Sequence, residues 1–195
     1  MIIGITGGTG CGKTTALSLI AELGGLVIDC DRVYHHLLKT DESLLASIEG
    51  RFPGTVENKE LNRKKLAAIV FADGKALLDL NEITHKAVKA EVLRLLETAP
   101  QLVAIDAIGL FEGELAPLCH TTLAVTAPEE VRISRLMARD GITAEQAAAR
   151  INAQKSQDWF VSKCQHHLHN GGTKEEFRDK CIALYEKLGI IEKET

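Results

Sequence analysis

The sequence predicts an α/β chain built on a five-stranded parallel sheet, and three observations carry the prediction. A glycine-rich loop, Gly4-Ile5-Thr6-Gly7-Gly8-Thr9-Gly10-Cys11-Gly12-Lys13-Thr14-Thr15, stands directly behind the apolar start Met1-Ile2-Ile3. Short β-rich runs recur between longer helical patterns, at residues 2–6, 26–28, 102–105, 122–126 and, more weakly, 166–169. The longest gap between them, about 32–100, exceeds one crossover helix and reads as an inserted set of three or four helices. Strands joined by helices pair in parallel and need cover on both faces, and ligands gather beyond the carboxyl ends of such strands.

The loop has the form GxxxxGKT. Glycines at 7, 8, 10 and 12 allow positive φ, so that backbone N–H groups turn inward around an anion. The following helix, with apolar Ala16, Leu17, Leu19, Ile20 and Leu23, adds its positive N-terminal end. Lys13 supplies a point charge for the β- and γ-phosphates, and the Thr14 hydroxyl is the expected ligand of a bridging Mg2+. Gly8, Gly10, Cys11, Gly12, Lys13, Thr14 and Thr15 are therefore the nucleotide-binding candidates, for Mg-ATP or Mg-GTP.

The second strand ends in Ile28-Asp29-Cys30-Asp31. Its two carboxylates are two apart and point the same way while the strand persists. One is suited to orient or deprotonate an attacking hydroxyl and the other to hold a metal-bound water; the simpler reading is that both cap the next helix. The third strand closes on Asp106, the usual second element beside the metal in phosphate-loop enzymes. In the insertion, residues 41–52, 61–71 and 76–96 carry helical apolar spacing. A polar stretch at about 128–157 bears Arg132, Arg135, Arg139 and Arg150 around an Asp140-Gly141 turn, which suits a mobile lid over phosphates. In His166-His167-Leu168-His169 a strand sends His166 opposite to His167 and His169, so the rings diverge.

Composition narrows the class. With 195 residues and 45% apolar content, the chain holds one substantial core, expected as a single domain with core segments 1–31, 101–127 and 158–195. Lys and Arg number 23 against 27 Asp and Glu, and no basic run exceeds Arg63-Lys64-Lys65, which argues against a nucleic-acid surface. No apolar stretch approaches membrane-spanning length and the loop begins at residue 4, so a cytoplasmic location is expected. Five cysteines without a CxxC pair point to reduced thiols. Cys11 lies where a helix N-terminus would lower its pKa, against the simpler reading of a small residue tolerated in the loop.

Asp106-Ala107-Ile108-Gly109 also fits the DxxG pattern of regulatory GTPases. Those switches need Asn-Lys-x-Asp to read guanine, and the chain's Asn58-Lys59 is followed by Glu60-Leu61. A small-molecule or nucleotide kinase with a substrate subdomain and lid fits better.

The chain resembles the dephospho-CoA kinase family from residue 2 to about 172. Beyond the loop, the resemblance rests on Leu23-Gly24, Asp29-Cys30-Asp31, Asn62-Arg63 with Leu66 and Val70-Phe71, and Leu80-Asn81-Glu82-Ile83-Thr84-His85. It continues through Asp106 with Leu110-Phe111-Glu112, then Arg135 to Asp140-Gly141, Arg150-Ile151, Gln154, Asn170 and Gly172. It implies a three-layer phosphate-loop kinase fold with a helical CoA-binding insertion and a lid, using ATP as co-substrate with Mg2+ and dephospho-CoA as acceptor. By position it makes Asp31 the base on the ribose 3'-hydroxyl with Asp29 beside it. Lys13 becomes the phosphate ligand, Arg139 the closing lid residue, Arg63 and His85 acceptor-side residues, and Thr14 with Asp106 the metal side. A monomer acting on small molecules is the expectation. The chain departs from the family at Ile108-Gly109, at Lys86 for a proline, and at Gln165 and His169 for aspartates.

Overall fold

Strand order decides what surrounds the glycine-rich loop. The computed structural model describes residues 1–192. Its elements, in order, are β1 (Ile2–Thr6), α1 (Lys13–Glu22), β2 (Leu26–Asp29), α2 (Cys30–Thr40), α3 (Glu42–Arg51), β3 (Val56–Glu57) and β4 (Glu60–Leu61). Then follow α4 (Arg63–Ala72), α5 (Gly74–Leu96), β5 (Val103–Asp106), β6 (Thr121–Thr126), α6 (Glu129–Asp140), α7 (Ala144–Asn152), α8 (Gln157–Lys163), β7 (His166–His169) and α9 (Lys174–Lys187). The chain divides into two compact units, one of Met1–Ile28, Ala99–Phe111 and the described residues from Leu115 onward, the other of Asp29–Thr98 with Glu112–Glu114.

The first unit carries the parallel five-stranded sheet, in the order β2-β5-β1-β6-β7. β1 lies at its centre, paired in parallel with β5 (Ile3 opposite Ala104) and β6 (Ile3 opposite Thr121). A strand buried on both faces should read as an apolar run, and every residue of β6 is buried. Against Ile3, Ile5, Ala104, Leu123 and Val125 pack Ala16, Leu19 and Ile20 of α1 with Phe177, Cys181 and Tyr185 of α9. The fully buried Tyr185 hydroxyl donates to the Ala16 carbonyl at 2.9 Å, so the phenol's polar end is satisfied. α6 and α7 form their own small core from Leu136, Ala147 and Ile151, turned by Gly141 in the left-handed region at φ 65°. Among the described residues no helix is long and apolar enough to cross a membrane.

The second unit is helical. Leu37, Leu38, Leu44, Leu45, Ile48, Leu66, Val70, Val88 and Val92 supply its buried apolar positions. Side-chain caps start each helix: Asp41 accepts from the Ser43 and Leu44 amides, Asn62 from Lys65, and Asp73 from Lys75. The helical spacing read over 41–52, 61–71 and 76–96 corresponds to α3, α4 and α5. Between α3 and α4 lies a hairpin the sequence did not suggest. Asn58 (φ 52°) and Lys59 (φ 64°) make its two-residue turn, and the Glu49 carboxylate accepts from the Gly54 and Val56 amides at its base.

The aspartate pair needs correction. The strand does not run on to Asp31: it ends at Asp29, whose Oδ1 accepts from the Arg32 amide at 3.0 Å as the N-cap of α2. Asp31 is exposed in the first helical turn, so strand alternation does not relate the two carboxylates.

Candidate active site

A loop that aims its N–H groups at an anion must find other partners for its carbonyls. The chain leaves β1 through Gly7 (φ 139°) and enters α1 through Gly12, the helix N-cap at φ 86°. At Gly7 a Cβ would come within 2.2 Å of the Val125 carbonyl oxygen, so neither the backbone angle nor the space admits a side chain. Gly8 differs from the expectation: its φ is not positive. What it requires is the missing side chain, because a Cβ there would lie 2.5 Å from Arg132 Nη2.

The outward carbonyls are taken one by one. Arg132 Nε donates to Thr9 O at 2.9 Å, and Arg135 Nη1 donates to Gly10 O and Cys11 O at 3.2 and 3.3 Å. Asn170 Nδ2 also donates to Cys11 O, at 2.9 Å, while its Oδ1 accepts from Arg135 Nη2. Gln154 Oε1 accepts from the Thr9 amide at 2.8 Å, which removes that N–H from the anion-binding set. Lys13 Nζ donates to Gly7 O at 3.1 Å and stands 3.8 Å from Asp106 Oδ1. Thr6 Oγ1 donates to Ile108 O, tying the turn after β5 to the end of β1.

The loop, Lys13, the exposed Thr14 and half-buried Asp106 thus belong to one unit. A hydroxyl and a carboxylate are hard oxygen donors of the kind Mg2+ takes, so the donor set there fits that ion. Cys11 departs from the lowered pKa that its place by a helix N-terminus suggests: burial pushes its thiol up, against the opposing charges of Arg132, Lys13 and Arg135. Redox sensitivity through a thiolate has no support there.

The remaining candidates fall elsewhere. Asp29 and Asp31 open α2 in the second unit, and in that same unit Arg63 Nη2 lies 3.4 Å from His35 Nδ1. His85 lines a cavity of about 570 Å³ together with Asn81, Glu82, Lys86, Lys89 and Glu112. Arg139 does not reach the loop. It is bound to Asp140 at 2.7 and 3.0 Å, and Arg150 holds the same carboxylate. The departures Gln165 and His169 are used within the sheet: Gln165 Oε1 accepts from the Thr122 amide, and His169 Nδ1 lies 3.1 Å from Thr126 Oγ1, which His167 Nε2 also approaches at 2.7 Å.

The sequence reading places Arg132, Arg135, Arg139 and Arg150 together on one lid. The structure groups Arg132 and Arg135 on the loop and leaves Arg139 outward. The usable signal was the pairing of Arg132 with Leu136, four apart, both buried on the inner stripe of α6.

Known proteins of similar sequence and fold identify the family. A dephospho-CoA kinase family model matches residues 1–176. The chain is 34% identical over 195 residues to the dephospho-CoA kinase of Syntrophotalea carbinolica, covering 96% of this chain and 92% of that one. It is likewise 34% identical to the dephospho-CoA kinase of Geobacillus kaustophilus, covering 99% of each. Among solved structures it superposes on TT1252 from Thermus thermophilus with a TM-score of 0.80 and 32% identity, covering 96% of this chain and 97% of that one. With a family model spanning nearly the whole chain and relatives matched end to end, the chain belongs to the dephospho-CoA kinase family.

Proposed function

We propose that the chain transfers the γ-phosphoryl group of ATP to the ribose 3'-hydroxyl of dephospho-CoA, giving coenzyme A and ADP. The observation that carries the donor half is the loop itself, whose carbonyls from Thr9 to Cys11 are bound from outside, while the amides of Gly10, Gly12, Lys13 and Thr14 take no partner among the described hydrogen bonds and are left to meet an anion. Lys13 neutralises charge on the β- and γ-phosphates from the loop. Thr14 and Asp106 would hold Mg2+, which when bound spreads the charge of the phosphate oxygens.

Asp31 takes the proton of the 3'-hydroxyl as that oxygen forms its bond to the γ-phosphorus, and the bond from phosphorus to the bridging oxygen breaks to release ADP. Its exposure at the first turn of α2 supports this role, since the carboxylate is open to an incoming hydroxyl. Asp29, capping α2, fixes the turn from which Asp31 projects. Arg63 and His85 serve the acceptor, which carries phosphates of its own. The support is the Arg63 guanidinium, which lies 3.4 Å from His35 Nδ1 and joins none of the ion pairs among the described residues, and a cavity lined by Lys86 and by Lys89, the latter paired with Glu114. Arg139 is the lid cation that closes on the transferring group, exchanging Asp140 for phosphate. The chain works as a cytoplasmic monomer on small molecules, in keeping with its near balance of 23 basic and 27 acidic residues.

The test is a coupled assay of ADP formation with and without dephospho-CoA. ADP release that rises with dephospho-CoA and saturates supports the reading. Hydrolysis indifferent to dephospho-CoA contradicts it, and a strong preference for GTP over ATP would favour a GTPase.

A further inference from the structure

The peptide of Thr9 is gripped at both of its polar groups by side chains more than a hundred residues away in sequence: Arg132 Nε on its carbonyl and Gln154 Oε1 on its amide. Arg132 is 4% exposed, and its Nη2 is buried with no hydrogen-bond partner. None of the ion pairs among the described residues includes it. The guanidinium lies against Gly8, and a Cβ at Gly10 would meet Arg132 O at 2.9 Å and Arg132 Cα at 3.1 Å, so the first turn of α6 is seated on the loop. A helix so seated at its N-terminal turn is a poor candidate for movement there.

A buried guanidinium with a spare N–H and no acid beside it is an uncompensated positive charge, since arginine does not shed its proton. Its field is felt inside the loop. At the Cys11 thiol, where burial dominates, Arg132 is the largest opposing charge, ahead of Lys13.

We propose that Arg132 and Gln154 form a clip on the Thr9 peptide that sets the phosphate loop for ATP, and that Arg132 is a second fixed positive charge acting on the bound nucleotide through the loop. Both are positioning residues for the donor, and they belong to the rooted part of the α6–α7 pair. The inference rests on the ATP-dependent reading above. The phosphates next to the loop stay with ADP, so the charge acts on ground state and transition state alike. Its loss should appear in KM and leave kcat nearly unchanged.

The experiment is direct titration of the purified chain with ATP, paired with KM and kcat in the coenzyme A-forming assay and with thermal unfolding. Arg132→Gln keeps a donor for Thr9 O but removes the charge, and should raise Kd and KM for ATP about tenfold with kcat within about threefold. Arg132→Lys keeps charge and donor, and should lose only about threefold. Gln154→Glu keeps the acceptor for the Thr9 amide and gives Arg132 its missing acid, because Gln154 Oε1 and Arg132 Nη2 both face Gly8. That variant should melt no lower than wild type yet bind ATP several-fold more weakly, an opposition that lost packing does not produce. Wild-type ATP affinity in folded Arg132→Gln, or in Gln154→Glu, would overturn the proposal. A wild-type chain that fails to bind ATP would instead overturn the functional reading on which it rests.

Discussion

Replacing Asn170 by alanine strips the loop of its best-buried outer support. Asn170 is 3% exposed, donates to Cys11 O at 2.9 Å, accepts from Arg135 Nη2 at 3.2 Å, and rests its amide against Gly12. The substitution deletes one neutral hydrogen bond, worth about 1 kcal/mol, and one to a charged group, worth roughly 1.5–3 kcal/mol. Cys11 O keeps only the longer Arg135 contact at 3.3 Å, and the amide leaves a small void. The expected loss is about 3 kcal/mol. For a chain of this size that lowers Tm by roughly 6–12 °C. Urea unfolding should show a lower midpoint at an unchanged slope, because the surface exposed on unfolding hardly changes. Asn170→Asp retains the acceptor for Arg135 but loses the donor to Cys11 O, and should fall between wild type and alanine. A loss below about 1 kcal/mol in Asn170→Ala would refute the reasoning, since the deleted bonds would then have water or neighbouring groups as equal substitutes.

Asp31→Asn should lower turnover roughly 100- to 10,000-fold, as expected for loss of a general base. ATP affinity measured by titration should stay close to wild type, and near-normal turnover would remove Asp31 from the base role. Stability at alkaline pH is a separate outcome. Burial holds Cys119 and Cys164 up at about 11 and Cys181 at about 12, against an ordinary thiol value of 9.0. Unfolded thiols ionise first, so above about pH 9 the native chain binds more protons and its stability declines as pH rises towards these native values. Urea midpoints between pH 8 and 11 should fall more gently in Cys181→Ala than in wild type, and parallel slopes would contradict the assignment.

Much of the fold was legible because it is locally encoded. The loop's glycine spacing, the apolar strand runs and the helical periodicity of 76–96 each lie within a short window, and each element appears where the pattern puts it. The β3–β4 hairpin was not legible. Its strands are two residues each, too short for alternation, and its turn uses Asn58-Lys59 in place of a glycine. Asp29 and Asp31 were misread for a related reason. Alternation applies only inside a strand, and here the cap of α2 ends the strand at its first carboxylate.

The donor site was legible in part. Lys13 and Asp106 share a carboxyl edge because β1 and β5 are neighbours, which βαβ reasoning anticipates. The outer shell of the loop was not legible as a shell. Arg132, Arg135, Gln154 and Asn170 meet Thr9, Gly10 and Cys11 across more than 120 residues of sequence, and no local period encodes that meeting. A polar, arginine-bearing helix pair read as a free lid, yet half of those arginines face inward to carbonyls that the loop's own geometry leaves unpaired.

The most direct measurement of the central claim follows the phosphate itself. Purified chain is given Mg2+, dephospho-CoA and ATP labelled in its γ-phosphate, and the product is separated and its phosphorylated position determined. The account predicts label on the ribose 3'-oxygen of coenzyme A, with one ADP formed for each labelled product. Label found only in inorganic phosphate, or on another acceptor position, would contradict it.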